Sequence, residues 1–114
     1  MESTKIRADG ALEAFGALSN EHRLAIFRLL VQAGPAGMAA GDIADKLGIP
    51  ASSLSFHLAH LTRAELTEQR RESRSLIYSA NFPTMNGLIA FMTENCCGGA
   101  SCAPASTPKR RKAS

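Results

Sequence analysis

The sequence predicts a mainly α-helical domain with one small β-hairpin. Helical spacing is the first observation behind this prediction, because apolar residues recur every three or four positions through most of residues 11–63 and again in 84–95. A change of period is the second, since residues 66–80 contain two short runs with strand-forming residues on either side of a three-residue turn. This order of elements is typical of a winged helix-turn-helix.

Composition fits one small domain in the cytoplasm. The chain has 114 residues, of which 45% are hydrophobic, and a net charge of +3, which is compatible with nucleic acid but does not prove it. The first ten residues are charged and polar, so we expect no signal peptide. The most apolar stretch is short and contains Arg28, so we expect no membrane span. We predict a folded domain over residues 1–95 and a flexible tail over 96–114.

Three helices are predicted before the segment that organises the chain. Their predicted ranges are Ala11 to Leu18, about Glu21 to Ala33 and Ala40 to Leu47, after a frayed arm at residues 1–10. Gly34-Pro35 ends the second helix and Gly48 ends the third, as glycine does when it follows a helix. The residues between the second and third helices are expected to form an irregular connection.

The organising segment is a fourth helix, predicted from Ile49 to Arg63. Pro50 fits the first turn of a helix, and three leucines then give one apolar stripe. The opposite face has no acidic residue, and its hydroxyls and imidazoles can approach phosphates and base edges without repulsion. We therefore interpret this segment as a recognition helix. The residues predicted to contact DNA here are Ser52, Ser53, Ser55, Phe56, His57, His60 and Arg63.

The hairpin after this helix is predicted to be the wing. Its strands are expected at Leu66 to Arg71 and Ser75 to Ala80. Arg70, Arg71 and Arg74 are expected near the tip. They either form a solvated turn or, as we favour, contact the duplex. A last helix, about Thr84 to Asn95, presents an apolar stripe that includes Leu88 and Met92.

Three segments together resemble the ArsR/SmtB family of metal-responsive repressors. They are LSNEHRLAIFRLL at 18–30, DIADKLGIPASSLSFHLAHL at 42–61 and RRESRSLIYSAN at 70–81. The resemblance covers roughly residues 10–95 and implies a homodimer joined through the first and last helices. It also implies a palindromic double-stranded operator, from which an inducer releases the protein. The residues expected at the dimer interface are Leu12, Phe15, Leu88 and Met92.

Two sensor sites that are common in this family are missing from the sequence. Ala39 and Gly41 stand where arsenic and cadmium sensors often carry a Cys-X-Cys, and the last helix offers only Glu94 where zinc sensors often carry His and Asp. One further departure is Glu65, where relatives often have glycine. The inducer must therefore be inferred from the cysteines that the chain does contain.

Cys96, Cys97 and Cys102 are predicted to form a metalloid site. Thiolates select soft ions, and Gly98-Gly99 allows the chain to turn back so that the third sulfur joins the adjacent pair. Three thiolates suit As(III) or Sb(III), whereas zinc requires a fourth ligand. We therefore expect As(III) or Sb(III) as inducer and no organic cofactor.

Other interpretations stay open at this stage. The same family member would instead sense cadmium, lead or zinc, or thiol oxidation. A thiol enzyme or metallochaperone is poorly supported, because the sequence has no Cys-X-X-Cys and no general base beside the cysteines. A third alternative is a DNA-binding protein whose cysteines are incidental. His57 and His60 are spaced for a shared metal, although we favour DNA contact, and the basic run at 109–112 contacts DNA or only keeps the tail soluble.

Overall fold

The computed structural model describes residues 6–99, which form five α-helices and a small antiparallel sheet. Residues 1–5 of the arm predicted at 1–10, Cys102 and the basic run at 109–112 lie outside the described residues, whereas residues 8–10 belong to the first helix. Short 3₁₀ turns occupy Gly34–Ala36 and Cys96–Gly99. In chain order the regular elements are α1 (Ala8–Leu18), α2 (Glu21–Ala33), β1 (Met38–Ala39), α3 (Ala40–Leu47), α4 (Ala51–Arg63), β2 (Thr67–Glu72), β3 (Ser75–Ala80) and α5 (Phe82–Thr93).

Asparagine caps fix the starts of two helices. The Asn20 side chain accepts hydrogen bonds from the backbone N–H groups of His22 and Arg23, so α2 begins at the predicted residue. The Asn81 side chain accepts from the N–H of Thr84, at 3.2 Å. Because this cap places the helix start directly after Asn81, α5 begins at Phe82, two residues before the predicted start, and it ends at Thr93.

The first and fourth helices differ slightly from their predicted bounds, and α3 agrees. Helix α1 begins at Ala8, three residues early. Pro50 lies just before α4 with extended backbone (φ −58°, ψ 147°), where its missing N–H removes no helical hydrogen bond. Helix α3 ends as predicted at Gly48, which is left-handed (φ 67°, ψ 33°). Glu65 is also left-handed (φ 65°), as expected for a position that favours glycine.

The sheet has three strands in the order β1-β3-β2, so the predicted hairpin is confirmed and one strand was missed. Strands β2 and β3 pair from Thr67 opposite Ala80 to Glu72 opposite Ser75. Strand β1 pairs Met38 with Tyr78 on the other side of β3. It is only two residues long, which is too short for a strand period to show in the sequence. This strand ties the segment before α3 to the wing.

The core lies beneath the inner faces of α2, α3 and α4. Leu54, Leu58 and Leu61 are buried, which confirms the predicted stripe on α4. Helix α1 is buried through Ala11, Ala14 and Ala17, and its Phe15 and Leu18 pack against the core while half-buried. Small side chains let α1 approach the domain closely and direct Leu12 outward.

Candidate nucleic-acid interface and thiol site

The outer ridge of α4 is made of four exposed residues. Ser52, Phe56, Ala59 and Arg63 follow one another at intervals of three or four positions, on the side opposite the buried leucines. Phe56 is 63% exposed at the centre of this ridge. Ser53 and Ser55 are also exposed. The structure therefore presents most of the predicted DNA-contacting residues of this helix on one accessible face.

His57 is the exception, because it faces the core and not solvent. It is only 9% exposed, and its Nδ1 lies 3.3 Å from Nη1 of Arg23, a residue of α2. The Nε of Arg23 also donates to the carbonyl oxygen of Ala17, at 2.7 Å. The ring of His22 lies 5.5 Å from that of His57. This placement contradicts the prediction that His57 contacts the duplex, since its ring helps to fasten α4 to α1 and α2.

The pKa of both histidines of α4 is lowered, which favours the neutral imidazole. Burial lowers the pKa of His57, and the positive charge of Arg23 and the neighbouring histidines lower it further. Burial, Arg23 and Arg63 lower the pKa of His60, while Glu13 opposes this shift. His60 is half-buried, and its Nδ1 is buried without a hydrogen-bond partner in the described part of the chain. Neutral rings do not supply the charge that a phosphate contact needs, which leaves Arg63 as the cation of this ridge.

The wing arginines divide into two groups. Arg70 donates from Nη2 to the carbonyl oxygen of Ala36 and from Nε to Glu72 Oε2, each at 2.8 Å. It therefore fastens the wing to the Gly34–Ala36 turn, while its side chain stays 42% exposed, so its role in DNA contact stays a prediction. Arg71 is the next residue along the strand and so points to the opposite face, and it is exposed, as is Arg74. These two remain candidates for contact with the duplex.

Cys96 and Cys97 lie in a tight turn directly after α5. Their sulfur atoms are 3.7 Å apart, and both residues are exposed. Cys97, Gly98 and Gly99 all have positive φ, so the chain doubles back here. The N–H of Gly98 donates to the carbonyl of Asn95, at 2.9 Å. The structure thus has a short turn at residues 96–99, at the start of the segment predicted to be a flexible tail.

Both α1 and α5 carry exposed apolar side chains. Leu12 is 72% exposed, Met92 is 61% exposed and Ile89 is 51% exposed, while Phe15 is half-buried. Leu88 is only 4% exposed and belongs to the core of its own chain. Its predicted place in a dimer interface is therefore wrong, whereas the other residues remain available to a partner.

Sequence reasoning missed Arg23 as a functional neighbour of α4. Its position near the start of α2 gave no reason to pair it with a residue 34 positions later. Within residues 6–99, no group of three or more His, Cys, Asp or Glu side chains is placed to hold a metal ion.

Comparison with known proteins shows which family has this architecture. Residues 18–70 match a helix-turn-helix domain family. The transcriptional regulator YgaV of Escherichia coli is 30% identical over 90 residues, which are 79% of this chain and 89% of that protein. An ArsR-like regulator from Rhodococcus superposes with a TM-score of 0.68 at 26% identity, covering 80% of this chain and 82% of the other. The chain belongs to the ArsR type of winged helix-turn-helix transcriptional regulators.

The comparisons also find a repressor of similar sequence and a solved domain of similar fold. The transcriptional repressor SdpR of Bacillus subtilis is 36% identical over 68% of this chain and 83% of its own. The homodimeric winged helix-turn-helix domain of Mb0332 from Mycobacterium bovis superposes with a TM-score of 0.61 at 26% identity, covering 80% of each chain. Over residues 6–99, no helix of this regulator is long and apolar enough to cross a membrane.

Proposed function

We propose that this ArsR-type regulator is a homodimeric repressor that leaves a palindromic operator when As(III) or Sb(III) binds three thiolates. Cys96, Cys97 and Cys102 would be the ligands. The observation that supports this most is the pair of exposed sulfurs 3.7 Å apart at the end of α5. The operon under its control would then be one for metalloid resistance.

The spacing of the sulfurs suits two ligands of one ion. With a metal–sulfur length of about 2.3 Å, as for zinc, two ligands at angles between 90° and tetrahedral lie roughly 3.3–3.8 Å apart. The positive φ of Cys97, Gly98 and Gly99 reverses the chain. This reversal favours the return of Cys102 toward the first two sulfurs. Three thiolates without a nearby imidazole suit a soft three-coordinate ion better than they suit zinc.

The location of the cysteines suggests how ligand binding would reach DNA. Met92 lies four residues before Cys96 and belongs to the exposed apolar surface of α1 and α5. If two chains pack through this surface, the orientation of α5 sets the distance between the two α4 helices. That distance must match one turn of DNA, about 34 Å, for both to enter the major groove. Closure of a three-sulfur ring would re-aim the end of α5 and disturb this match.

Repression itself is inferred for this chain. SdpR is named a repressor, whereas HlyU of Vibrio cholerae, 29% identical over 67% of this chain, is named an activator. An inducer site on the dimer surface fits a regulator that is released from DNA. The coupling energy between two such sites is typically about 1–3 kcal/mol, and DNA must weaken arsenite binding by the same factor that arsenite weakens DNA binding.

The test is operator binding by the full chain, titrated with arsenite. The duplex is the promoter region of the protein's own operon, and the variants are Cys96→Ser, Cys97→Ser and Cys102→Ser. Each variant should bind the duplex as the wild type does but need more arsenite for release, because two sulfurs hold As(III) less tightly than three. Ser101→Ala, which removes no thiol from the same segment, should respond as the wild type does.

Two results would redirect this proposal. If all three cysteine variants dissociate at the wild-type arsenite concentration, the tail is not the sensor. If cadmium, lead, zinc or a thiol oxidant releases the wild type and arsenite does not, the same residues serve the alternative sensor. Retention on DNA under all of these conditions would leave the cysteines without a regulatory role.

A further inference from the structure

Phe56 is an unusual residue for the outermost position of a helix on a soluble domain. Its ring is 63% exposed, and it lies opposite the leucine stripe that joins α4 to the core. Folding therefore gives the ring little burial, although an exposed phenyl group gains free energy when it is removed from water. Ser52 and Ser55 beside it are polar, and Ala59 on the same ridge is small, so Phe56 is the large apolar side chain of this face.

The ring is held in place by its neighbours on the helix. The ring of His57 lies 5.6 Å away with an edge-to-face geometry of 66°, and that of His60 lies 6.4 Å away at 81°. Such aromatic pairs are favourable and limit the rotation of the phenyl group. Because His57 is itself buried, it anchors this arrangement to the core. Phe56 therefore meets a partner without first losing much conformational freedom.

The DNA major groove offers one apolar group at the base edges, the C5-methyl group of thymine. All other groups there are hydrogen-bond donors or acceptors, which a phenyl ring cannot satisfy. We propose that Phe56 reads a thymine by contact with this methyl group. Ala59, exposed one turn later, leaves room for the ring to approach the base edge. This inference rests on the proposed operator binding and names the base that the recognition helix selects.

Insertion of the ring between base pairs is a different mechanism with a different consequence. A wedge gains from stacking and from a kinked duplex, and it does not need the methyl group. Replacement of thymine by deoxyuridine removes only that methyl group and keeps both base pairing and the hydrogen-bonding edge. Uracil substitution therefore separates methyl contact from insertion.

The experiment uses duplexes that the full chain itself selects from a random-sequence library. Each thymine of the selected site is replaced in turn by deoxyuridine, and affinity is measured for the wild type, Phe56→Ala and Phe56→Leu. At one symmetric position, replacement of thymine by deoxyuridine should lower the affinity of the wild type about fourfold per half-site. This is the value expected for one methyl group withdrawn from water. Phe56→Ala should lose this dependence, and Phe56→Leu should keep part of it.

Ser55→Ala is the matched control for the helix face. Its affinity for DNA is free to change, but the ratio between the thymine and uracil duplexes should stay at the wild-type value. Uracil that has no effect on the wild type, or the same effect on Phe56→Ala, would overturn the methyl contact while operator binding stands. Failure of the wild type to select any sequence would instead overturn the proposed function.

Discussion

Arg23 helps to determine which residues of α4 are exposed and so available to contact DNA. It donates to the carbonyl of Ala17 and lies against the buried ring of His57, so it joins three helices at one point. The sequence alone favours His57 as a contact to the duplex, because on a helical wheel it lies at the border of the polar face. The structure shows that one residue of this face is used to fix the orientation of the others.

The neutral state of the α4 histidines makes stability depend on pH. The pKa values of His57 and His60 are lowered in the folded chain, so the unfolded chain binds more protons as pH falls below about 6.5. The contribution of these histidines to the free energy of unfolding should therefore be complete above that pH and should be lost as pH falls below it. Urea unfolding at several pH values measures this dependence.

His57→Asn provides the comparison for this pH dependence. Asparagine keeps a side-chain acceptor near Arg23 but does not titrate, so the decrease in stability between pH 7 and pH 5 should be shallower than in the wild type. An unchanged slope would show that His57 does not take up a proton in this range. The variant is expected to be less stable at every pH, because it leaves part of the ring's volume empty.

At the scale of the elements, the wing is held more firmly than a free hairpin. Strand β1 pairs with β3, and Arg70 of β2 donates to the carbonyl oxygen of Ala36 in the turn before β1. The wing is therefore part of a unit that includes the segment before α3. The consequence is that the recognition helix and the wing keep a fixed relative position when they meet DNA.

Two glycines with nearly the same backbone test this connection. Gly37 (φ 71°, ψ −165°) and Gly34 (φ 80°, ψ −169°) both occupy a region that favours glycine, where alanine costs of order 1–3 kcal/mol. A Cβ atom at Gly37 would also clash with the carbonyl oxygen of Tyr78, whereas at Gly34 it would meet nothing within 4 Å. Gly37→Ala should therefore lose more stability to urea than Gly34→Ala. Equal losses would mean that β1 moves away at little cost.

The two groups of wing arginines should behave differently in DNA binding. An Arg71→Ala, Arg74→Ala double variant should reduce affinity and flatten the log–log dependence on salt by roughly 0.9 for each phosphate that the variant no longer neutralises. Arg70→Ala should keep the slope and instead lower the free energy of unfolding by about 1 kcal/mol, since its bonds lie within the protein. A double variant with the wild-type slope would remove the wing tip from the interface.

The sequence predicted an element correctly where the spacing of its apolar residues repeats over several positions. The leucines of α4 and the hairpin of β2 and β3 follow from spacing, and Gly48 from helix-end chemistry. Strand β1 and the Arg70 contact depend on residues more than 30 positions apart, which no local pattern records. Leu88 shows a related limit, because a helical stripe on α5 does not reveal whether it faces the core or a second chain.

At the scale of the whole molecule, three of the most exposed apolar residues, Leu12, Ile89 and Met92, lie on the first and last helices. Leu12 of α1 and Met92 of α5 are both more than half exposed, and α5 is buried mainly through Thr84, Gly87 and Leu88. Beyond Leu88, none of the described residues is fully buried. A second copy of the chain would cover this surface and hold the distal half of α5.

Charge introduced on this surface should prevent dimer formation. A Leu12→Glu, Met92→Glu double variant should sediment as a monomer at micromolar concentration if the wild type sediments as a dimer, because carboxylates lose their hydration when buried in an apolar interface. Phe56→Glu is the control for position, since it places one such carboxylate at a similarly exposed residue on α4. A double variant that stays dimeric would place the interface elsewhere.

The attachment of α5 has a mechanical consequence. The N–H of Asn81 donates to the carbonyl of Leu66 at 2.8 Å, and its side chain caps the helix, so α5 is pinned to the base of the wing at its first residue. Twelve residues span about 18 Å, and a tilt of about 10° at Asn81 would move the Thr93 end by about 3 Å. Helix α5 therefore connects the base of the wing, at Asn81, to the turn that carries Cys96 and Cys97, and a small change of angle at one end becomes a displacement of several ångströms at the other.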